Sequence, residues 1–359
     1  MTTLSFYVNN KSSGAKFGDA SVTQKKGTGG APTLIDVARL AGVSVITASR
    51  AIRNKGPMSV ATRARVMRAV AETGYTPNPI AASLVSSASK LIGVIVPSLA
   101  NMVFVNVLSG INSAVLPEGY ATIFAVTEYD PHEEMRLVES MLAWRPAALV
   151  LTGVEHVPET VSRIRSSGVR CIELMDLTDD PIDIVIGFSH WKAGYQSAQF
   201  LLQKGYRRLG YVGHDLQRDR RSAKRYEGFV QGLRDGGTGL AAREIGSEPS
   251  SVRSGRLSMM RLVVDAPGLD AVYFSNDDMA IGGIFHAYGA GISIPQDIAV
   301  MGFNDLDIGQ ELPRRLTTIR THRTRIGYEA GIAALALASG STVEKVHDVG
   351  FDLVEGETA

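Results

Sequence analysis

TLIDVARLAGVSVITASRAIRNKGPMSVATRARVMRAVAETGYTPNPIAASL, residues Thr33 to Leu84, decides how the first part of this 359-residue chain folds. Thr33 is a helix N-cap, and Leu34, Val37, Ala38 and Ala41 follow at helical spacing until Gly42 stops the run. Ser44 caps a second, short helix in which Ala48 and Ile52 point inward while Val45, Ile46, Ser49 and Arg50 point outward. A third helix starts at Ser59, is expected to pack through Val60, Val66, Ala69 and Val70, and ends at Gly74. Two helices this short cannot close a core alone, so the third is required. The spacing predicts a helix-turn-helix, a geometry that lays its second helix in the DNA major groove.

Charge supports that reading. The net charge of +1 hides an asymmetry: residues 31–90 carry +6, the segment before them +3, and everything from Leu91 onward −8. Positive charge sits where phosphates would be met, and the acidic remainder disfavours wrapping DNA around the body. The first 30 residues are rich in Gly, Ser, Thr and Lys and are expected to form a disordered basic tail.

From Leu91 the pattern changes to strands alternating with helices. LIGVIVP is a continuous apolar run of buried parallel-strand type, followed by the helix FVNVLSGINSAVLPEG. YATIFAVT, AALVLTG, VRCIELMD, RRLGYVG, LDAVYFSND and IAVMGFND continue the rhythm, predicting two doubly wound α/β subdomains. Such sheets bind ligands beyond the carboxyl ends of their strands, so two facing edges make a cleft. Asp176, Phe188, Asn276, Asp277 and Asn304 end these strands. Planar polar groups for hydroxyls beside an aromatic face suit a sugar-like ligand. Arg225 reads two ways from its helix alone, as a surface ion-pair partner of Glu227 or Asp219 or as a cleft residue.

Enzymatic motifs are missing. The sequence has no GxSxG elbow, no GxxxxGK[ST] loop, no HExxH and no GxGxxG after the first body strand. The seven histidines are scattered without metal-ligand spacing, and Cys171 is the sole cysteine, expected to be a small buried residue. Neither a metal nor a cofactor is expected. His190 and His214 fall near strand ends, within reach of a ligand. No apolar run approaches the roughly 20 residues of a membrane span, and MTTLSFYVNNKSSGAKF lacks the apolar segment of a secretory signal, so a cytoplasmic protein is expected.

DVARLAGVSVITASRAI resembles the amino-terminal signature of LacI-type (lactose-repressor-like) bacterial transcription regulators, and GYTPNPIAASL resembles the hinge that follows it. The resemblance continues through LIGVIVPSLANMVF, DIVIGFSHWKAG, KRYEGF, SNDDMAIGG and AVMGFND, covering roughly residues 33–356. Within the family, PSLANMVF, ESMLAW and ELMD most resemble the gluconate operon repressor branch. The resemblance implies a helix-turn-helix domain over 31–76, a hinge helix within 77–90, and two subdomains of periplasmic-binding-protein type. The first subdomain would comprise 91–189 plus 320–341 and the second 190–319 plus 342–359, with the last strand, VHDVGFDLV, in the second.

It also implies roles. Thr33, Ser44, Val45, Ile46, Thr47, Ser49, Arg50, Asn78, Ala81 and Leu84 would meet double-stranded operator DNA, with Leu84 wedged into a minor-groove base step rather than merely covering the body. Asn101, Phe104, Asp176, Phe188, Arg225, Asn276, Asp277, Asn304 and Arg323 would meet a small-molecule effector. Asn304 stands where several relatives that bind neutral ligands carry Asp. A neutral amide there, with cleft arginines, favours a sugar acid of the gluconate or keto-gluconate type, although Asp176 and Asp277 weigh against an anion.

With no leucine heptad after VGFDLVEGETA, a homodimer on a near-palindrome is expected. A neutral-sugar effector or a corepressor remains the alternative. A sugar receptor serving a transporter would use the same body, but it needs export and has no use for the basic head.

Overall fold

The computed structural model describes residues 31–54, 56–76, 89–100 and 102–359, in two compact units divided between Asn78 and Pro79. The amino-terminal tail, the hinge helix, Asn78, Ala81, Leu84 and Asn101 lie outside the described residues.

The first unit holds three helices, α1 (Leu34–Ala41), α2 (Val45–Ile52) and α3 (Val60–Thr73). Thr33 and Asp36 form a capping box at the start of α1, and Gly42, at φ 63°, ends it in the left-handed conformation that permits the sharp turn into α2. Ser44 and Ser59 cap α2 and α3 through the backbone N–H groups of Thr47 and Thr62, each at 3.1 Å. The core is built from Val37, Ala38, Ala41, Ala48, Ala51, Val66 and Ala69. Small side chains let the helices approach closely, and Ile52 packs at the margin of this cluster. Val60 corrects an expectation: it is 87% exposed. Six positions before Val66, it sits roughly 120° around α3 from that residue, in the first turn of the helix.

The second unit contains two parallel sheets. The first has the order β11-β5-β4-β3-β1-β2, comprising β1 (Leu91–Val96), β2 (Ala121–Val126), β3 (Ala148–Thr152), β4 (Arg170–Leu174), β5 (Ile184–Gly187) and β11 (Val346–Asp348). Ile92, Val94 and Val96 face α4 (Met102–Val115) and α12 (Arg323–Ala338); Ile95 faces α5 (Pro131–Leu142) and α6 (Pro158–Ser167). Burial on both faces explains the unbroken apolar run of β1.

The second sheet has the order β7-β6-β8-β9, from β6 (Leu209–His214), β7 (Ala242–Gly246), β8 (Ala271–Phe274) and β9 (Ala299–Met301). It carries α7 (His190–Gln203), α8 (Arg220–Asp235), α9 (Val252–Asp265) and α10 (Asp277–Ala290). The short α11 (Asp307–Gln310) follows β9.

The carboxyl terminus departs from the expected single strand in the second subdomain. β11 pairs in parallel with β5, Val346 opposite Val185, and so belongs to the first sheet. Only seven residues follow α12 before it, and α12 packs on the first sheet, so the nearest open edge is β5. Gly350, at φ 70°, then turns the chain into β12 (Asp352–Val354), which pairs antiparallel with β10 (Thr318–Arg320). Thr358 ends in the second subdomain, its carbonyl accepting from Val300 N at 2.8 Å. Among the described residues no helix is long and apolar enough to cross a membrane.

Candidate functional site

The outer face of α2 is the first candidate surface. Val45 and Ile46 are 41% and 67% exposed, and Arg50 is exposed one turn further on. The hydroxyls of Ser44 and Thr47 lie 2.8 Å apart, and Ser49 is half-buried. The first turn of α2 carries no acidic side chain, so its positive helix end is free to meet phosphate. Thr33 is engaged by Asp36, accepting from its N–H at 3.4 Å and donating to Oδ2 at 2.6 Å.

The second candidate is the cleft between the two sheets of the body. A cavity of about 570 Å³ is lined by Pro97, Thr127, Tyr129, Thr152, Gly153, Glu155, Arg218, Arg220 and Arg221, among others. A smaller one of about 240 Å³ shares Tyr129 and Arg218 and reaches Ser98, His214, Ser250 and Asp278. These residues follow the carboxyl ends of β1, β2, β3 and β6, the edge expected to hold a ligand.

Arg225, on α8, is 5% exposed and held in place. Its Nη1 donates to His190 Nδ1 and its Nη2 to the Ser275 carbonyl, both at 3.0 Å, while the guanidinium lies 4.1 Å from the Phe303 ring centre. His190 Nε2 reaches the Met175 carbonyl at 2.6 Å. A carbonyl can only accept, so Nε2 carries the proton and Nδ1 offers its lone pair to Arg225. Burial, then the charges of Arg225 and Arg221, hold His190 well below the usual histidine range, which keeps it neutral. The Phe188 ring lies 4.4 Å from that of His190, tilted by 50°, at the base of this group.

The carboxylates expected at the strand ends are satisfied internally. Asp176 accepts from Lys224 Nζ at 2.6 Å and from Leu177 N at 2.9 Å. Asp277 accepts from Leu306 N and from Thr318 Oγ1, both at 2.7 Å, and so ties the loop after β9 to β10. Burial raises its carboxyl to about 7 against those two hydrogen bonds. Asn276 caps α10 through Met279 N and accepts from Ser250 Oγ at 2.7 Å. Arg323 donates to the Asn304 and Asp305 carbonyls, bracing a loop in which both residues have positive φ. Phe104 is buried beneath the guanidinium of Arg221, 5.5 Å from it.

Three residues were not singled out from the sequence: Arg221, Lys224 and Tyr129. Arg221 and Arg225 are four apart on α8, with Lys224 between them, so one helical face delivers all three. That i, i+4 spacing was the available signal. Tyr129 had none, because a left-handed backbone at Glu128 and Tyr129 (φ 50° and 60°) presents it.

A family model described as bacterial regulatory proteins, lacI family, matches residues 33–78. Another, periplasmic binding proteins and sugar binding domain of LacI family, matches residues 89–336. The chain is 39% identical to the HTH-type transcriptional regulator GntR of Pseudomonas aeruginosa over 92% of its own length and 96% of the relative's. A solved LacI family transcriptional regulator from Silicibacter pomeroyi is 39% identical, with a TM-score of 0.86 over 91% of this chain and 99% of that one. The lac repressor dimer bound to operator and an anti-inducer is 25% identical, with a TM-score of 0.79 over 91% and 98%.

Proposed function

This chain belongs to the LacI family of DNA-binding transcriptional regulators, and from that premise we propose that it is a homodimeric repressor of a near-palindromic operator, controlled by a sugar acid of the gluconate or keto-gluconate type. One observation carries the effector reading: Arg221 lines the cleft cavity with Arg225 one turn further along the same helix, whereas Asp176 and Asp277 are occupied by internal donors. Their objection to an anionic ligand is thereby reduced. Phe188, buried against His190, and Asn276, capping α10, would support the wall from behind, and Arg323 braces the loop at Asn304.

DNA contacts are assigned to Val45, Ile46, Thr47, Ser49 and Arg50 on α2, with Thr33 and Ser44 at the helix starts. Two heads on one duplex would double the contact set and match a two-fold operator, a reading supported by the likeness to the lac repressor dimer bound to operator. Effector closure of the cleft would change the spacing of the paired subdomains, and linkage requires the difference in effector affinity to reappear as altered operator affinity.

Gel-shift titration on the DNA upstream of this chain's own gene, with gluconate, 2-ketogluconate and glucose, tests the proposal. A response to an acid at concentrations where glucose has none is expected. A response to glucose alone would replace the acid with a neutral effector.

A further inference from the structure

Arg221 is a buried cation whose compensation is incomplete. It is 9% exposed, and its nearest carboxylate, Asp219, stands 4.0 Å away. Asp219 is already committed, capping α8 through Ser222 N at 3.1 Å and lying 3.6 Å from His214 Nε2. Below the guanidinium is the Phe104 ring, which leaves its edge for in-plane partners. Tyr129 stands beside it, its hydroxyl close enough for the guanidinium to work against the burial that raises the phenol. Gly153, at φ 101°, supplies bare backbone where an added Cβ would come within 3.5 Å of Nη1. Arg221, Tyr129 and Gly153 all line the 570 Å³ cavity, a volume in the range of small-molecule sites.

Two consecutive non-glycine residues, Glu128 and Tyr129, hold left-handed backbone to put that tyrosine there. Such strain persists only where surrounding structure compensates it, and it concentrates at ligand sites. A desolvated guanidinium is costly until an anion joins it, and a carboxylate accepting two parallel N–H bonds is the matching partner.

We infer that Arg221, with the Tyr129 hydroxyl beside it, is the subsite that takes the carboxylate of the effector, leaving Arg225 to position the wall behind it. The inference rests on the acid-effector reading above. The hydroxyl-bearing chain then runs into the adjoining 240 Å³ lobe, where Ser250 and Asp278 offer a hydroxyl and a carboxylate to a polyol.

Calorimetry with gluconate and its neutral amide, gluconamide, tests this on the full chain. The unaltered protein is expected to prefer the acid, and Arg221→Gln to lower that preference by about tenfold or more, the loss of a charge-assisted pair. Arg221→Lys keeps charge without the fork and is expected to fall between the two. Tyr129→Phe is expected to lower the preference by a few-fold. Should Arg221→Gln fail to fold by its melting curve, Arg221→Lys and Tyr129→Phe decide the matter by the same ratio. A preference unchanged in the folded variants overturns the assignment to Arg221. If the unaltered chain shows no preference for the acid, the acid-effector reading itself falls.

Discussion

His190 links two elements that must move together: its Nδ1 accepts from Arg225 on α8 at 3.0 Å, and its Nε2 holds the Met175 carbonyl at the end of β4 at 2.6 Å. The imidazole therefore couples the edge of the first sheet to a helix of the second. Removing the guanidinium should leave His190 and the Ser275 carbonyl without their donor. Arg225→Ala is expected to abolish the effector response while operator binding persists, giving an uninducible repressor if the effector releases DNA. His190→Phe, which keeps the ring against Phe188 but offers no acceptor, should weaken the response in the same direction. Gel shifts with and without effector check both; an Arg225→Ala protein that responds normally refutes the coupling.

The methyl-bearing pair on α2 predicts what bases are read. Ile46 is the more exposed of the two, and an apolar branch at that place suits a thymine C5-methyl group. Ile46→Ala is expected to lose about 1 kcal/mol or more at one symmetric operator position, within the usual range for a single contact. Selection from a randomised site would show it as relaxed preference at that base pair. An unaltered logo would remove Ile46 from the contact list.

How much of this was legible in the sequence depended on how local the cause was. Caps and stops were readable because Thr33, Ser44, Ser59 and the turn glycine Gly42 act on neighbouring backbone. The strand ends were readable because β1, β3 and β4 are buried on both faces. Partnering across the cleft was not. Asp176 is a free carboxylate in its own segment, and only the fold brings Lys224, 48 residues away, onto it. The same limit placed the last strand wrongly, since the edge of β5 that receives β11 has no trace in the segment VHDVGF itself.

A pH dependence follows from His156, which lies inside the first subdomain with Nδ1 2.7 Å from Glu134 and Nε2 3.5 Å from Glu173. Burial works against its charge, yet the two glutamates outweigh burial and raise it to about 9. The folded value exceeds the unfolded one of about 6.5, so folding favours the imidazolium. Its stabilisation is complete below about pH 6.5 and is lost as pH rises through about 9, up to roughly 3 kcal/mol. Urea titrations at pH 6.5 and 9 should show a larger loss for the unaltered chain than for His156→Gln. Equal losses would mean that His156 is not charged in the fold.

Lys224 stands between Asp176 at 2.6 Å and Glu155 at 2.5 Å, joining α8 to the loops that follow β4 and β3. Asp176 is buried, and burial already raises its carboxyl above the ordinary range. Lys224→Met should therefore strand that charge, costing about 3 kcal/mol, the low end for removing one partner of a buried pair. Adding Asp176→Asn should recover much of the loss, because no charge is then left unpaired. Denaturation midpoints of the two single variants and the double variant measure the coupling; simple additivity would show that the pair is not energetically linked.

The last prediction concerns how α8 is seated at all. Helices α7 and α8 meet backbone to backbone: a Cβ on Gly194 would lie 1.9 Å from the Arg225 carbonyl oxygen, and one on Gly228 2.0 Å from that of Trp191. Neither contact can be relieved by turning a flexible side chain, so Gly194→Ala must push the helices apart. Because α8 carries Arg221, Lys224 and Arg225, such a shift moves all three from their partners at once. Overpacking of this kind typically costs 1–3 kcal/mol and occasionally more, and about 3 kcal/mol is expected here. The effector response should be lost together with that stability. Gly239→Ala serves as the control, since an added Cβ there meets nothing within 4 Å, and it should stay within about 0.5 kcal/mol of the unaltered chain. Thermal melts of the two variants, followed by effector titration, separate the outcomes. A Gly194→Ala protein that melts with the control and still responds would mean that α7 and α8 tolerate a wider spacing, and that close packing does not set the positions of the cleft cations.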